Sequence, residues 1–304
     1  MSVLVLGHKN PDTDSIISAL AATELLKARG IDAEAGAQGA PNPETACVLK
    51  RFGLAAPQVV ESVAGRQLYL TDYSDLAQAP ADLKDAELLG IFDHHKLGDV
   101  TSAVPPEVWI QPWGCSCTVL HTVFKYYKVA IPGALAGAML AAIISDTVMF
   151  KSPTTTAQDK LAADELAVLA GSPDLKELAQ EMFRAKSNLS EPPRALLMRD
   201  FKDFEMGGHK IGIGQLELLS LEMVSTELRA ELQAELDKIR AEVRHSAMLL
   251  LTDIMAEGSE LLLSSEEPER ILKALNAAPG KSWLPGVLSR KKQIVPPLEH
   301  SLKD

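Results

Sequence analysis

Four short segments place acidic or imidazole side chains where apolar runs end. Gly7-His8-Lys9-Asn10-Pro11-Asp12-Thr13-Asp14 puts one imidazole and two carboxylates directly after Val3-Leu4-Val5-Leu6. Leu70-Thr71-Asp72, Ile91-Phe92-Asp93-His94-His95 and Ile143-Ile144-Ser145-Asp146 repeat the pattern. If these ends converge, ionised aspartates crowd into one crevice and repel, more strongly when buried. One divalent cation, or two, relieves that repulsion. Mixed imidazole and carboxylate ligation suits Mn²⁺, Co²⁺, Zn²⁺ or Fe²⁺ better than Ca²⁺, which prefers oxygen alone. Asp146, if it ends a helix, adds its charge to the negative pole of the helix dipole, and a cation relieves both. Each segment alone reads equally as a cap, a turn or a surface feature, so the recurrence carries the argument. Ser289-Arg290-Lys291-Lys292-Gln293 forms a second cluster. Arginine offers a planar fork to phosphate oxygens and lysine a compact point charge. The plainer reading of that cluster is a solvated basic turn. His121, His209, His245 and His300 lack such a setting and read as structural or solvated.

The elements that must position these residues follow from periodicity. Val3–Gly7 is a continuous apolar run, as in a strand buried on both faces. From Asp14 to Arg29 the apolar residues Ile16, Ile17, Leu20, Ala21 and Leu25 fall at helical spacing. Pro11 keeps Asn10 extended, and Asp12, Thr13 or Asp14 can cap that helix. Strand-like runs at Gln67–Thr71 and Leu88–Phe92 alternate with helix-like segments near 43–53, 115–127, 134–145, 157–170 and 174–186. The alternation predicts an α/β fold on a parallel sheet, with sites at the carboxyl ends of its strands. Polar residues and two prolines at Ser187–Pro193 predict a linker. The domains expected are 1–187, a linker 188–194, and 195–304. In the latter, Lys210–Leu216 alternates like a strand, and Val224, Leu228, Leu232, Leu236, Ile239 and Val243 mark one amphipathic helix with a solvated charged face. Ala247–Leu251, Glu260–Leu263, a helix near 267–276 and a strand-like Gln293–Val295 follow.

The 304 residues, 46% hydrophobic, suffice for two cored domains. A net charge of −11 argues against a nucleic-acid partner, which needs many cations to displace phosphate counterions. It leaves a small, highly charged substrate open. The three cysteines, Cys47, Cys115 and Cys117, make no disulfide framework. Cys115 and Cys117 alternate with Ser116, so both could face one side of an extended segment; they read as buried reduced thiols. No signal peptide and no membrane span is expected, since Gly133–Ile144 is well short of about 18 residues. The chain is expected to be soluble and cytoplasmic.

His8-x3-Asp12-x-Asp14, Asp72, Asp93-His94-His95, Ala142-Ile143-Ile144-Ser145-Asp146 followed by Phe150-Lys151-Ser152-Pro153-Thr154, and Ser289-Arg290-Lys291-Lys292-Gln293 occur in this order over nearly the whole chain. Together they resemble a family II inorganic pyrophosphatase, within the DHH phosphoesterase superfamily. The terminal Ser-Arg-Lys-Lys-Gln discriminates most, because Asp-His-His alone marks only the superfamily. The resemblance implies a DHH-type parallel-sheet domain, a smaller α/β domain with a mixed sheet, and an active site in the cleft between them. It implies that His8 and Asp12 bind one ion, that Asp14, His94 and Asp146 bind a second, and that Asp72 bridges the pair. Two Mn²⁺ or Co²⁺ ions per subunit are implied, with Mg²⁺ arriving on the pyrophosphate. His95, Lys202, Ser289, Arg290 and Lys291 are implied to hold the substrate, and the first domain to form a homodimer. The chain has no room for the regulatory nucleotide-binding insert of longer relatives. Many relatives follow the bridging aspartate with His-Asn, whereas Tyr73-Ser74 stands here, which puts the hydrogen bonding behind Asp72 in question.

Two ions about 3.5–4 Å apart can share a water and lower its pKa toward neutrality. The expected reaction is in-line attack of that bridging hydroxide on one phosphorus. Lys202, Arg290, Lys291 and His95 offset charge on the oxygens, and a protonated His95 can donate to the leaving phosphate. Two rivals are a DHH phosphoesterase for short oligonucleotides, cyclic dinucleotides or polyphosphate, and a silent metal- or phosphate-binding regulator. The first usually carries a glycine-rich motif, which Gly207-Gly208-His209 superficially resembles on an expected hairpin.

Overall fold

The computed structural model describes residues 2–277 and 282–303. The chain divides into two compact units, Met1–Met182 and Phe183–Asp304.

The first unit contains β1 (Val3–Lys9), α1 (Thr13–Ala28), β2 (Ala33–Gln38), α2 (Pro43–Phe52), β3 (Gln58–Val59), β4 (Gln67–Thr71), β5 (Glu87–Asp93) and β6 (Glu107–Ile110). Four helices follow: α3 (Ser116–Tyr127), α4 (Gly133–Asp146), α5 (Ala157–Leu169) and α6 (Leu175–Lys186), the last crossing into the second unit. Six strands run parallel in the order β3-β2-β1-β4-β5-β6. The order reverses between β1 and β4, and the carboxyl ends beside such a reversal leave a crevice that no crossover covers. Leu4, Leu6, Leu68, Leu70, Leu88 and Ile91 pack together on one sheet face. The Ala-rich α4 is buried from Leu135 to Ser145, which explains its near-continuous apolar sequence.

The second unit holds α7 (Pro193–Met198), β7 (Phe201–Met206), β8 (His209–Leu218), α8 (Thr226–Val243), β9 (Ser246–Asp253), β10 (Gly258–Ser265), α9 (Pro268–Ala274), β11 (Trp283–Pro285) and α10 (Val295–Leu302). Its mixed sheet has the order β11-β10-β9-β8-β7, with only β8 and β9 parallel. Along the central β9, Ala247, Leu249 and Leu251 pack on one face with Leu232, Leu236 and Ile239 of α8. Met248 and Leu250 pack on the other with Ile271, Ile294, Leu298 and Leu302. Alternate side chains of a strand leave on opposite faces, so this one strand serves two cores. Gly207 and Gly208, at φ 57° and 79°, make the two-residue turn between β7 and β8 that only residues tolerant of positive φ allow.

Three expectations need correction. Asn10 is not extended before Pro11: it turns at φ +52°, in the left-handed region that asparagine tolerates better than most residues. Gln293–Val295 is not a strand: Arg290–Ile294 is a π-helical turn that runs into α10. The β-branched pair Ile294-Val295 mimics a strand, but Pro296 and Pro297 fall in the first turn of a helix, where their missing N–H groups cost nothing. Cys115 and Cys117 do not lie on an extended segment either. Cys115 is the N-cap residue of α3 and Cys117 is inside that helix, both buried as thiols.

Candidate metal centre

His8 leaves the end of β1, and Gly7 before it lets the chain fold back tightly. A Cβ there would lie 2.1 Å from Ser15 Oγ and 2.6 Å from the Ser15 carbonyl oxygen. Asp12 caps α1, with Oδ1 accepting from the Ser15 amide at 2.9 Å while Oδ2 lies 3.4 Å from His8 Nε2. The capping reading and the ligand reading of Asp12 are therefore compatible, one oxygen each. Asp72 follows β4 at φ +66°, a left-handed conformation that costs a non-glycine residue of order 1–3 kcal/mol and is found where function holds it. Its Oδ2 lies 3.2 Å from His8 Nε2 and its Oδ1 3.3 Å from His94 Nε2. Asp146 closes α4, with Oδ2 3.8 Å from His94 Nε2.

The structure thus gathers two sets of ligand atoms, His8, Asp12 and Asp72 on one side and Asp14, His94 and Asp146 on the other, each within 4.8 Å. Asp72 touches both imidazoles. His8 Nδ1 lies 2.7 Å from the Lys9 carbonyl oxygen and His94 Nδ1 3.0 Å from that of Trp113. A carbonyl only accepts, so both Nδ1 atoms donate, and each neutral ring then aims an Nε2 lone pair at carboxylate oxygen. Lone pair facing lone pair is repulsive unless a cation sits between them or the rings are protonated. This donor set therefore fits divalent ions, with His8, Asp12, Asp14, Asp72, His94 and Asp146 as the side chains able to hold them.

The surroundings tune these groups. Burial opposes ionisation of Asp72, but in the metal-free fold hydrogen bonds from protonated His8 and His94, with the charge of His95, outweigh it and hold its carboxyl well below the usual range. Ser116 Oγ also donates to Asp72 Oδ1 at 2.9 Å. Asp14 goes the other way: burial and then the charge of Asp72 push it up to about 7. The start of α3 steadies it, since the Ser116 and Cys117 amides donate to its two oxygens at 2.6 and 3.0 Å, where a helix favours negative charge. His95 Nδ1 lies 2.8 Å from Asp93 Oδ1, which also accepts from the His94 and His95 amides. Asp93 thus orients the pair of histidines.

Three supporting residues escaped the sequence reading. Glu44, at the start of α2, is buried, and its Oε2 accepts from Thr13 Oγ1 at 2.9 Å and Ser145 Oγ at 2.8 Å. It ties the segment bearing Asp12 and Asp14 to the residue before Asp146. Asp159 is buried and accepts from the Gly114 amide and Thr118 Oγ1, fixing the turn whose Trp113 carbonyl receives His94. Ser116 is the third. Asn42-Pro43-Glu44-Thr45 and Thr156-Ala157-Gln158-Asp159 carry local signals, a capped helix start and a capping box, and nothing in either points to a distant partner. Tyr73, directly after Asp72, is buried among Leu70, Leu83 and Leu88. Ser74 Oγ accepts from the Gly98 amide at 3.0 Å, tying the segment after Asp72 to the loop beyond His95.

In the second unit, Arg290 Nη1 donates to the carbonyl oxygens of Asp200 and Ile213 at 2.8 and 3.1 Å, and Nη2 to Asp200 Oδ1 at 2.7 Å. Lys202 pairs with Ile213 across β7 and β8, so its backbone and the Arg290 guanidinium meet at one point of the sheet. Ser289 is buried and caps the π-helical turn that carries Lys291. Gln293 and Gln215 brace this loop: Gln293 Oε1 accepts from the Leu288 and Ser289 amides, and Gln215 Nε2 donates to the Leu288 carbonyl.

A parallel-sheet domain with this constellation, joined to a mixed-sheet domain with a basic loop, defines the DHH class of two-domain proteins. Residues 2–143 match the model of the DHH family N-terminal domain, and residues 180–301 that of the DHHA2 domain. The chain is 42% identical to an Archaeoglobus fulgidus protein described as "Probable manganese-dependent inorganic pyrophosphatase", with 99% of this chain and 98% of that one covered. It is 40% identical to the manganese-dependent inorganic pyrophosphatase of Methanocaldococcus jannaschii, covering 98% of each. A solved Methanococcus jannaschii structure assigned to family II of the inorganic pyrophosphatases superposes with a TM-score of 0.90 at 39% identity over 100% of both chains. The chain belongs to the manganese-dependent, family II inorganic pyrophosphatases.

Proposed function

We propose that this chain hydrolyses inorganic pyrophosphate to two phosphates at the centre built by His8, Asp12, Asp14, Asp72, His94 and Asp146, with two Mn²⁺ or Co²⁺ ions per subunit and Mg²⁺ carried by the substrate. The observation that carries the reading is Asp72 between the Nε2 atoms of His8 and His94, one oxygen toward each. When bound, such ions supply Lewis-acid activation of water and neutralise charge on phosphate oxygens. The protein's own part is positional. Asp72, kept ionised, anchors both halves of the centre, and Asp93 fixes the ring of His95, the candidate donor to the leaving phosphate. Lys202, Ser289, Arg290 and Lys291 bind the anion, with Arg290 held rigid by Asp200 so that its remaining donors are aimed without reorganisation.

The relatives favour pyrophosphate over oligonucleotides, cyclic dinucleotides or polyphosphate. We read the protein as a cytoplasmic homodimer formed by its first unit, with neither nucleic acid nor membrane as a partner. Edge strand β6 supports the dimer: Val108 on it is 46% exposed, Val104 just before it 47%, and Tyr126 of α3, whose ring meets Trp109 of β6, 64%. Among the described residues no helix is long and apolar enough to cross a membrane. The test is phosphate release from pyrophosphate with Mn²⁺, after chelation, and with a dinucleotide as competitor. Release from pyrophosphate alone, lost with the metal and in Asp72→Ala, is expected. Faster turnover of the dinucleotide, or a fully active Asp72→Ala variant, overturns the reading.

A further inference from the structure

Beside the hydrolytic centre lies another group of metal-binding atoms, the Asp14 carboxylate with the thiols of Cys115 and Cys117, all within 4.8 Å of one another. All three residues are fully buried. The start of α3 brings them together: Cys115 caps it, Cys117 lies in its first turn, and the Ser116 and Cys117 amides hold Asp14 there. The hydrolytic reading uses neither thiol. We propose that Asp14, Cys115 and Cys117 form a site for a soft divalent cation, Cd²⁺ or Zn²⁺, which shares Asp14 with one of the hydrolytic ions.

The chemistry separates the two sites. Thiolate selects softer ions, whereas Mn²⁺ and above all Mg²⁺ prefer harder donors, chiefly oxygen, so the cluster stays silent under the ions that support turnover. Two sulfurs and one carboxylate oxygen would supply three of the four ligands such an ion takes. Binding forms two metal–sulfur bonds and releases two thiol protons to solvent, with no change of oxidation state. Each oxygen of Asp14 already accepts one backbone amide, so an ion at the thiols draws the carboxylate toward α3 and away from His94 and Asp146. Inhibition by soft ions follows; that consequence, unlike the binding itself, rests on Asp14 serving hydrolysis.

The test is a Cd²⁺ titration of the full-length, Mn²⁺-loaded protein, followed by ultraviolet absorption, bound Cd²⁺ and proton release. One equivalent of Cd²⁺ with a thiolate-to-cadmium absorption and two released protons is expected, and the same in Cys47→Ser, which removes the third thiol. Cys115→Ser/Cys117→Ser should lose the absorption and need more Cd²⁺ for half-inhibition. Each single serine variant, checked for folding by circular dichroism, should weaken both effects. No absorption in the unmodified protein, or an unchanged one in the double variant, overturns the site. Absorption without loss of Mn²⁺-supported hydrolysis overturns the sharing of Asp14. Neither optical result depends on which phosphoanhydride is cleaved, so failure of the site and failure of the pyrophosphate reading remain distinct.

Discussion

Asp72 and Asp14 are buried carboxylates pushed in opposite directions, and the difference is a matter of neighbours. Three imidazoles surround Asp72, while Asp14 is dominated by burial and by the charge of Asp72 itself. With Asp14 near 7 in the metal-free fold and 3.8 as its ordinary value, the folded chain holds an extra proton between those limits. Stability falls with rising pH wherever the folded state binds more protons, so this group stabilises the metal-free protein increasingly as pH drops below about 7. An ion must displace that proton. Mn²⁺ affinity is therefore expected to fall as pH is lowered through about 7, with proton release visible by calorimetry in buffers of different ionisation heat; a flat affinity from pH 8 to pH 6 contradicts the assignment. Ser116→Ala removes a hydroxyl from Asp72 and should weaken metal binding by about 10- to 100-fold, as loss of a partner behind a ligand commonly does. Lys291→Ala should keep both ions while slowing turnover by about 10²–10³-fold, a loss typical of one donor to developing charge. Loss of metal from that variant would reassign Lys291 to the first unit's chemistry.

At the scale of elements, strand ends and helix starts do the positioning. Glu44 couples the start of α1 to the end of α4 through two hydroxyls. Glu44→Gln keeps an accepting oxygen and should bind Mn²⁺ more tightly than Glu44→Ala; equal affinities would show that the coupling is idle. Most helices were legible from periodicity, among them α1, α4 and α8, and so were the strands β1, β4, β5 and β8. The strands that escaped lack that signal. Ala33–Gln38 is Ala-Glu-Ala-Gly-Ala-Gln, without a β-branched residue, and becomes β2 because β1 offers it a parallel ladder. Gln58–Val59 and Glu107–Ile110 are short outer strands whose existence depends on β2 and β5. The π-helical turn at Arg290–Ile294 was equally hidden, since the brace from Gln215 lies 75 residues away from Arg290.

On the scale of the whole molecule, ions bound only by the folded chain should raise its thermal stability. A hundredfold excess over the dissociation constant stabilises by about 2.7 kcal/mol per site. Chelation should therefore lower the melting temperature, and Mn²⁺ should restore it; a temperature indifferent to Mn²⁺ would contradict a folded, metal-binding centre. The chemical inventory of that centre was already written in the sequence. Ligand types, their places at the ends of apolar runs and the basic loop are local properties, set by composition and by the two- and 3.6-residue periods of strand and helix. Tertiary structure alone decided the supporting atoms: the Trp113 carbonyl behind His94, Ser116 behind Asp72, Glu44 between Thr13 and Ser145, and the thiols beside Asp14. Their partners lie from 19 to 103 residues away, and hydrogen-bond geometry leaves no periodic trace along a chain.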